Sequence, residues 1–507
     1  MNRISKFKTM ALGALVAFSF SAAAEDAPAI LRVQPLYGGS LTNMSANGQW
    51  AVGDAVNPAN SSSMAFPRIV NVATGENIEL FSEDEGILGT PMSATCVSDD
   101  GKTVAGYYNG YPAVWKEGTG WTSLPRPNRK YNGGIVSAMT PDGRYAVGRV
   151  SVNLFQEYPC MWDLEKMELV ELPGMIDSNP RYKDMIEQGG DPAEWTDAEL
   201  NVRLTGISPD TNVIVGTVDF AFPDASWEFV YFRDQAKWLP LGMKYEGGRL
   251  TALDDNIHGV GDCVLSSDGR LIGGVCMTVS DSSVPFTCSV DDPENFTLHT
   301  DGDGFGVWAI GCDGVIYGST PTGTPIRNWS AKVGKYWYDW KMVAKQLYGI
   351  DWMTDITNDE NGLSGTVEAV SVDNLRILAS DYAQNIAYVI TLPRPMAEIC
   401  ADVDLLGDYR VSPVDGAEFS MLQKIVVDLG RDVEVIGEKN CVALLDADGN
   451  PVRNSINFST QADNSKRVEV IFRNFSLEPG KDYIVVIPAG SICVAGDTEH
   501  VSKEIRI

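Results

Sequence analysis

Along most of this chain, short apolar runs with a two-residue alternation are separated by compact polar turns. That is the pattern of half-buried β-strands in antiparallel arrays. One turn recurs. In Ser98–Gly106 the chain reads S-D-D-G-K-T-V-A-G, a Ser-x-Asp-Gly turn, an apolar strand, and a glycine inside that strand. Related stretches open at Ser45, Thr140, Ser208, Ser266, Gly311 and Ser371, on average about 54 residues apart. Ser or Thr, a tolerated Pro, Asp and Gly are the residues a tight turn demands in that order. The strand glycine weakens pairing unless another backbone passes close over it, as it would near a crowded axis.

Each unit adds two further strands. The third reads Tyr111-Pro112-Ala113-Val114-Trp115 in the second unit and Tyr158-Pro159-Cys160-Met161-Trp162 in the next. The fourth ends in a leucine, as in Trp121-Thr122-Ser123-Leu124 and Leu169-Val170-Glu171-Leu172. Four strands per repeat at this period predict a β-propeller, and seven motifs predict seven blades over residues 28–395. The last repeat lacks its fourth strand, and Ile30–Leu36 has the sequence of one, so the two chain ends are expected to share the last blade.

The Ser-x-Asp-Gly turn, the V-x-G strand and the A-x-x-W-like third strand resemble extracellular repeat proteins of the HAF type, over about residues 37–392. That resemblance implies a secreted propeller-like domain and supplies no established activity. Beyond a linker at 396–408 tryptophan disappears, and residues 409–507 read as short alternating strands of an Ig-like β-sandwich. Ser412-Pro413-Val414-Asp415-Gly416 and Leu477-Glu478-Pro479-Gly480-Lys481-Asp482-Tyr483 resemble bacterial Ig-like domains, which implies a spacer or docking module. The fold class is thus all-β, a seven-bladed β-propeller followed by an Ig-like β-sandwich.

Residues 1–24 carry Arg3, Lys6 and Lys8 before an apolar run, then Ala22-Ala23-Ala24, and read as a cleaved signal peptide. No cysteine follows that site to take a lipid, and no later stretch is apolar for long enough to span a bilayer, so the expected location is secreted, cell-surface or periplasmic, without membrane insertion. The formal charge of −29 repels nucleic acid. The nine cysteines are an odd number without C-x-x-C spacing, although Cys276 and Cys288 are close enough in sequence to face each other on neighbouring strands.

Chemistry is sparse. His258, His299 and His500 are isolated, so neither a zinc site nor a Ser-His-Asp arrangement is expected, and no cofactor is implied. The repeated Asp100, Asp142, Asp210, Asp268 and Asp313 are expected to be turn residues. The longest insertions, 174–203, 241–261 and 330–365, are crossovers between blades and fall on the face opposite the turns. Within the third, Trp340, Val343, Ala344, Leu347 and Tyr348 have helical spacing with Gly349 as stop. Aromatics expected on this loop-rich face, Tyr107, Tyr108, Trp195, Phe222, Trp337 and Tyr338, are the candidate ligand contacts, because flat rings stack on sugars or anchor a protein partner. The expected function is an exported, non-catalytic binding or scaffold protein for an extracellular glycan or surface protein. The alternative is a propeller enzyme acting on extracellular glycans through paired carboxylates in the central funnel.

Overall fold

A computed structural model describes residues 27–33, 40–56, 65–81, 92–127, 133–153, 156–173, 202–219, 226–246, 249–252, 257–278, 283–300, 306–320, 327–351, 366–381, 386–407, 409–413, 424–438, 441–452, 455–473, 477–478 and 480–507. The signal-peptide segment and most of the first crossover lie outside these residues. Within spans 1–340 and 358–399 the described residues form one compact unit, and within 341–357 and 400–507 they form a second.

The first unit holds seven four-stranded antiparallel sheets. Their first strands are Leu41–Met44, Met92–Val97, Gly133–Met139, Val202–Ile207, Ile257–Leu265, Gly306–Ile310 and Val367–Val370. Six sheets are simple meanders in chain order. Each first strand touches the preceding sheet, and Leu41–Met44 touches Val367–Val370, so the sheets close into a ring. This is a β-propeller. The seventh sheet takes its outer strand from the other end of the chain: Ala29–Val33 pairs antiparallel with Ile386–Thr391, Ala29 opposite Thr391 and Val33 opposite Ala387. A small hairpin of Met243–Glu246 and Arg249–Ala252 occupies the crossover between the fourth and fifth sheets.

The core lies between neighbouring sheets. Leu80 closes the first sheet and packs with Ala94, Val97 and Val104 of the second. Leu124 and Leu241 do the same one and three sheets further on. Burying such a leucine contributes roughly 1.5–3 kcal/mol. Aromatics lock the outer rim: Trp121 Nε1 donates to the Leu80 carbonyl at 2.6 Å, Trp162 Nε1 to the Pro125 carbonyl at 2.8 Å, and the Tyr231 hydroxyl to the Pro173 carbonyl. A buried indole or phenol thus keeps a hydrogen-bond partner while its ring is dry.

The turns are built as their residues predict. Ser98 Oγ donates to Asp100 Oδ1 at 2.7 Å, Asp100 Oδ1 accepts the Lys102 amide at 3.0 Å, and Ser98 Oγ accepts the Thr103 amide at 3.0 Å. The same serine-to-aspartate bond recurs at Thr140, Ser208, Ser266 and Ser371. Gly101 has φ +72°, a conformation Thr211 and Asn374 adopt in the fourth and seventh turns. The strand glycine has the reason the sequence suggested. A Cβ on Gly53, Gly106, Gly148, Gly216 or Gly318 would lie 1.8–2.2 Å from a carbonyl oxygen of the adjoining first strand or, for Gly53, of Ser40 just before it.

In the second unit, Arg410–Ser412, Lys424–Asp428, Asn464–Arg473 and Ser455–Gln461 form one antiparallel sheet, and two three-stranded sheets accompany it. Val427, Val468, Val470, Phe458 and Ile487 are buried there. The helix expected in the third insertion is present as Trp340–Tyr348, with Gly349 at φ +68°. From Lys341 onward it belongs to this second unit, where the Gln346 side chain exchanges two 3.0 Å hydrogen bonds with the Asp404 backbone. No disulfide joins any of the nine cysteines. Cys276 pairs with Val284 and Cys288 with Ile272, so the two thiols are four positions out of register.

Candidate functional site on the ring axis

Every first strand carries a β-bulge, and in each sheet it includes the residue three positions before the turn opener: Thr42, Thr95, Ser137, Thr205, Cys263, Trp308 and Glu368. A bulge leaves part of the facing strand without its ladder partner. A short hydroxyl side chain repairs this. Thr95 Oγ1 lies 2.6 Å from the Val136 carbonyl of the next sheet and 3.0 Å from the Ala105 carbonyl, so its one proton serves either. Thr205 Oγ1 reaches the Val215 carbonyl at 3.4 Å. The hydroxyls of Thr95 and Thr205 at this place are therefore explained by the backbone alone. Trp308 and Glu368 are not. Neither offers a hydroxyl, both are half-buried, and they stand at the same position on the adjoining first strands of the sixth and seventh sheets.

These side chains line a cavity of about 340 Å³ on the ring axis. Its wall runs from the bulges (Ser137, Thr205, Cys263, Trp308, Glu368) to the turn residues Ala46, Pro141, Pro209 and Ser267. The cavity thus occupies the turn end of the axis. That is the end opposite the crossover face on which the sequence placed binding. Glu368 is the one carboxylate on its wall among the described residues, and Thr366 Oγ1 donates to its Oε1 at 2.6 Å. A volume near the lower limit of small-molecule pockets suits one or two sugar rings or a short side chain.

The mouth is braced by bonds between successive turns. Val372 N donates to the Ala46 carbonyl at 2.7 Å, Asn47 N to Asp99 Oδ1 at 2.9 Å, and Asp99 N to the Pro141 carbonyl at 2.8 Å. Pro141 and Pro209, at the same turn position, have no N–H with which to continue that chain of bonds. In the sixth sheet the turn opens at Gly311 rather than Ser, and there Ser267 Oγ of the fifth turn reaches the Val370 carbonyl of the seventh sheet at 2.6 Å. Asp99 carries opposing influences: burial raises its pKa, and the amides of Asn47 and Ala46 pull it down, with a net rise. Asp210 is held below the ordinary carboxylate range by the Ser208 hydroxyl and the Asn212 amide. The repeated aspartates are turn-builders.

The candidates on the crossover face are dispersed. Tyr107 is half-buried, and its phenol pKa is raised by burial and then by the charge of Asp54. Asp54 itself bridges sheets one and two, accepting Ser93 Oγ at 2.5 Å and the Ala94 amide at 3.0 Å. Tyr108 stacks on Trp121 at 6.3 Å between centroids. Trp337 packs beside Val275, Val307 and Ile316, and Tyr338 is 5% exposed. Trp195 and Phe222 lie outside the described residues. Thr287 Oγ1 pairs with His299 Nε2 at 2.9 Å and Asp497 with His500 Nδ1 at 3.0 Å, and no cluster of three metal-ligating side chains occurs among the described residues.

No family model and no curated protein matches the chain. Solved structures do. TolB from Acinetobacter baumannii is 11% identical over 69% of this chain and 65% of that one, with a TM-score of 0.33. The Swd1 β-propeller domain of Myceliophteria thermophila is 10% identical over 72% and 99%, with a TM-score of 0.41. An oligogalacturonate lyase in complex with manganese is 10% identical over 72% and 91%, with a TM-score of 0.45. The chain therefore spans about two thirds of the TolB structure, and at such identities the likeness concerns fold alone.

Proposed function

We propose that this protein is an exported, non-catalytic binding protein of the HAF-repeat type that holds an extracellular glycan in its axial cavity, with an Ig-like second unit as docking or spacer module. The observation that carries the reading is the break in the bulge ring. Five positions hold small residues, four of them hydroxyls that can serve the backbone, and a sixth holds an indole on the wall of a pocket. An aromatic face beside several hydroxyls is the composition that binds a sugar, whose faces are apolar and whose edges are hydroxyls. Export rests on the N-terminal segment, and among the described residues no helix is long and apolar enough to cross a membrane. The enzyme alternative needs two facing carboxylates, and Glu368 stands on the described wall without a second.

The test is a glycan array probed with the native chain and with Trp308→Ala, alongside a thermal melt. Binding of at least one glycan, weakened tenfold or more in the variant with its melt preserved, is the expected result. An array without signal, or a variant that binds as the native chain does, overturns the proposal.

A further inference from the structure

Among the described residues the axial cavity is walled on every flank. Each first strand touches the next all the way round the ring, Leu41–Met44 and Val367–Val370 included. The turns beyond these strands are tied to one another as well. Besides the bonds joining the seventh, first, second and third turns, Cys312 N of the sixth donates to Asn374 Oδ1 of the seventh at 2.8 Å, and Ser267 Oγ of the fifth reaches the Val370 carbonyl. The fourth and fifth turns are packed: a Cβ on Gly269 would lie 2.5 Å from Ser208 Cβ. Such a wall leaves a ligand one direction of approach, along the ring axis. The cavity is half open, and its rim includes the exposed Pro209 of the fourth turn. From Thr205 at the bulge to Pro209 at the rim the wall measures at most about 13 Å of extended strand. A groove on a surface can take the middle of a polymer from the side. A pit inside a closed ring admits a polymer only behind one of its free ends, and this pit has room for one or two sugar rings.

We infer that the axial cavity takes the free end of a glycan chain, one or two sugars deep, and excludes the interior of the chain. The inference rests on the glycan-binding reading and names the part of the glycan that is recognised. The experiment is calorimetric titration of the full chain with linear oligomers of two, four and six units of glucose, N-acetylglucosamine, mannose and galactose, together with the cyclic hexamer of glucose, which has no end. Sugars beyond the second lie outside the mouth, so within any family that binds the affinities of the dimer and hexamer are expected to agree within about threefold, and the cyclic hexamer is expected to be silent. Pro209→Trp places a large ring on the rim and is expected to weaken the dimer about tenfold or more with the melt preserved; Pro141→Trp, at the same place in the third turn, serves if the first variant melts early. An affinity that rises about tenfold or more from dimer to hexamer, or a cyclic hexamer that binds as its linear counterpart does, overturns end recognition and leaves glycan binding standing. Silence from every oligomer with a positive array overturns it too, because a two-unit end then does not suffice. Binding unchanged in a stably folded rim variant overturns entry from the turn end. Silence from both array and titration overturns both readings.

Discussion

Replacing Gly106 by Ala tests whether the strand glycine is there for close backbone approach. The added Cβ would lie 2.0 Å from the Ser93 carbonyl oxygen. Ordinary carbon–oxygen contact begins at roughly 3.4 Å, so the first strand would have to retreat by more than about 1 Å. Such a shift loosens about two ladder hydrogen bonds, each worth about 1 kcal/mol net, and adds overpacking of about 1–3 kcal/mol. The sum is about 3–5 kcal/mol. For a unit of roughly 370 residues with about 2.1 cal/mol/K of unfolding entropy per residue, that lowers the melting temperature by about 4–6 °C. Gly261→Ala is the matched control, since its Cβ would meet nothing within 4 Å. Differential scanning calorimetry of the two variants reads the difference directly. The seventh sheet carries Ala379 at the equivalent place, paired with Val367, so a first strand can be built to clear a methyl there. If Gly106→Ala and Gly261→Ala melt together, the carbonyl does not set the requirement and the argument fails.

Two other outcomes follow from the same geometry. Removing Ala29–Val33 bares the edge of Ile386–Thr391 and uncovers the apolar contacts of Val33 with Leu378 and Val389; the expected result is a melt lowered by more than that of Gly106→Ala and a concentration-dependent loss of monomer in size-exclusion chromatography, and an unchanged melt would refute closure by this strand. Asp210, whose pKa is depressed in the folded chain, contributes stability that is complete above its unfolded value and is lost as pH falls through its folded value; urea midpoints between about pH 5 and about pH 3 should therefore fall less steeply for Asp210→Asn than for the native chain, and equal slopes would count against the hydrogen-bonded turn. Asn47 occupies the same place in the first turn and accepts the Ser45 hydroxyl, so the amide fits.

Much of the ring is written in local chemistry. The turn formula, the strand glycine and the leucine at the end of the fourth strand each follow from a constraint that one residue type meets best. Ala29–Val33 was legible as a displaced strand because its composition matches the outer strands and the last repeat lacked one. The helix Trp340–Tyr348 was legible from its apolar stripe, but its allegiance to the second unit was not, because a stripe shows that a face is covered and not by what. The candidate site was the least legible part. A bulge shifts a strand by one residue without altering its alternation enough to be seen. Trp308 and Glu368 therefore read as ordinary strand residues. The signal existed in the register. Counting three residues back from each turn opener gives Thr, Thr, Ser, Thr, Cys, Trp and Glu, and the last two break the series. Aromatic content pointed to the crossover face, where Tyr108 stacks on Trp121 and Tyr338 is buried.

The pairing of Ala29 with Thr391 also dictates an order of events. A chain is synthesised N-terminus first, so the strand needed last is delivered first and waits, unpaired, while six sheets form behind it. Loop-closure cost grows only slowly with length, so the delay is kinetic more than thermodynamic. During that interval an apolar strand and the facing edge of Ile386–Thr391 are both open to neighbours, and a chaperone that covers strands has its main task there. A chain interrupted before residue 391 cannot close at all. The last sheet is therefore completed only when both ends of the ring are present, and until then it keeps an unpaired edge.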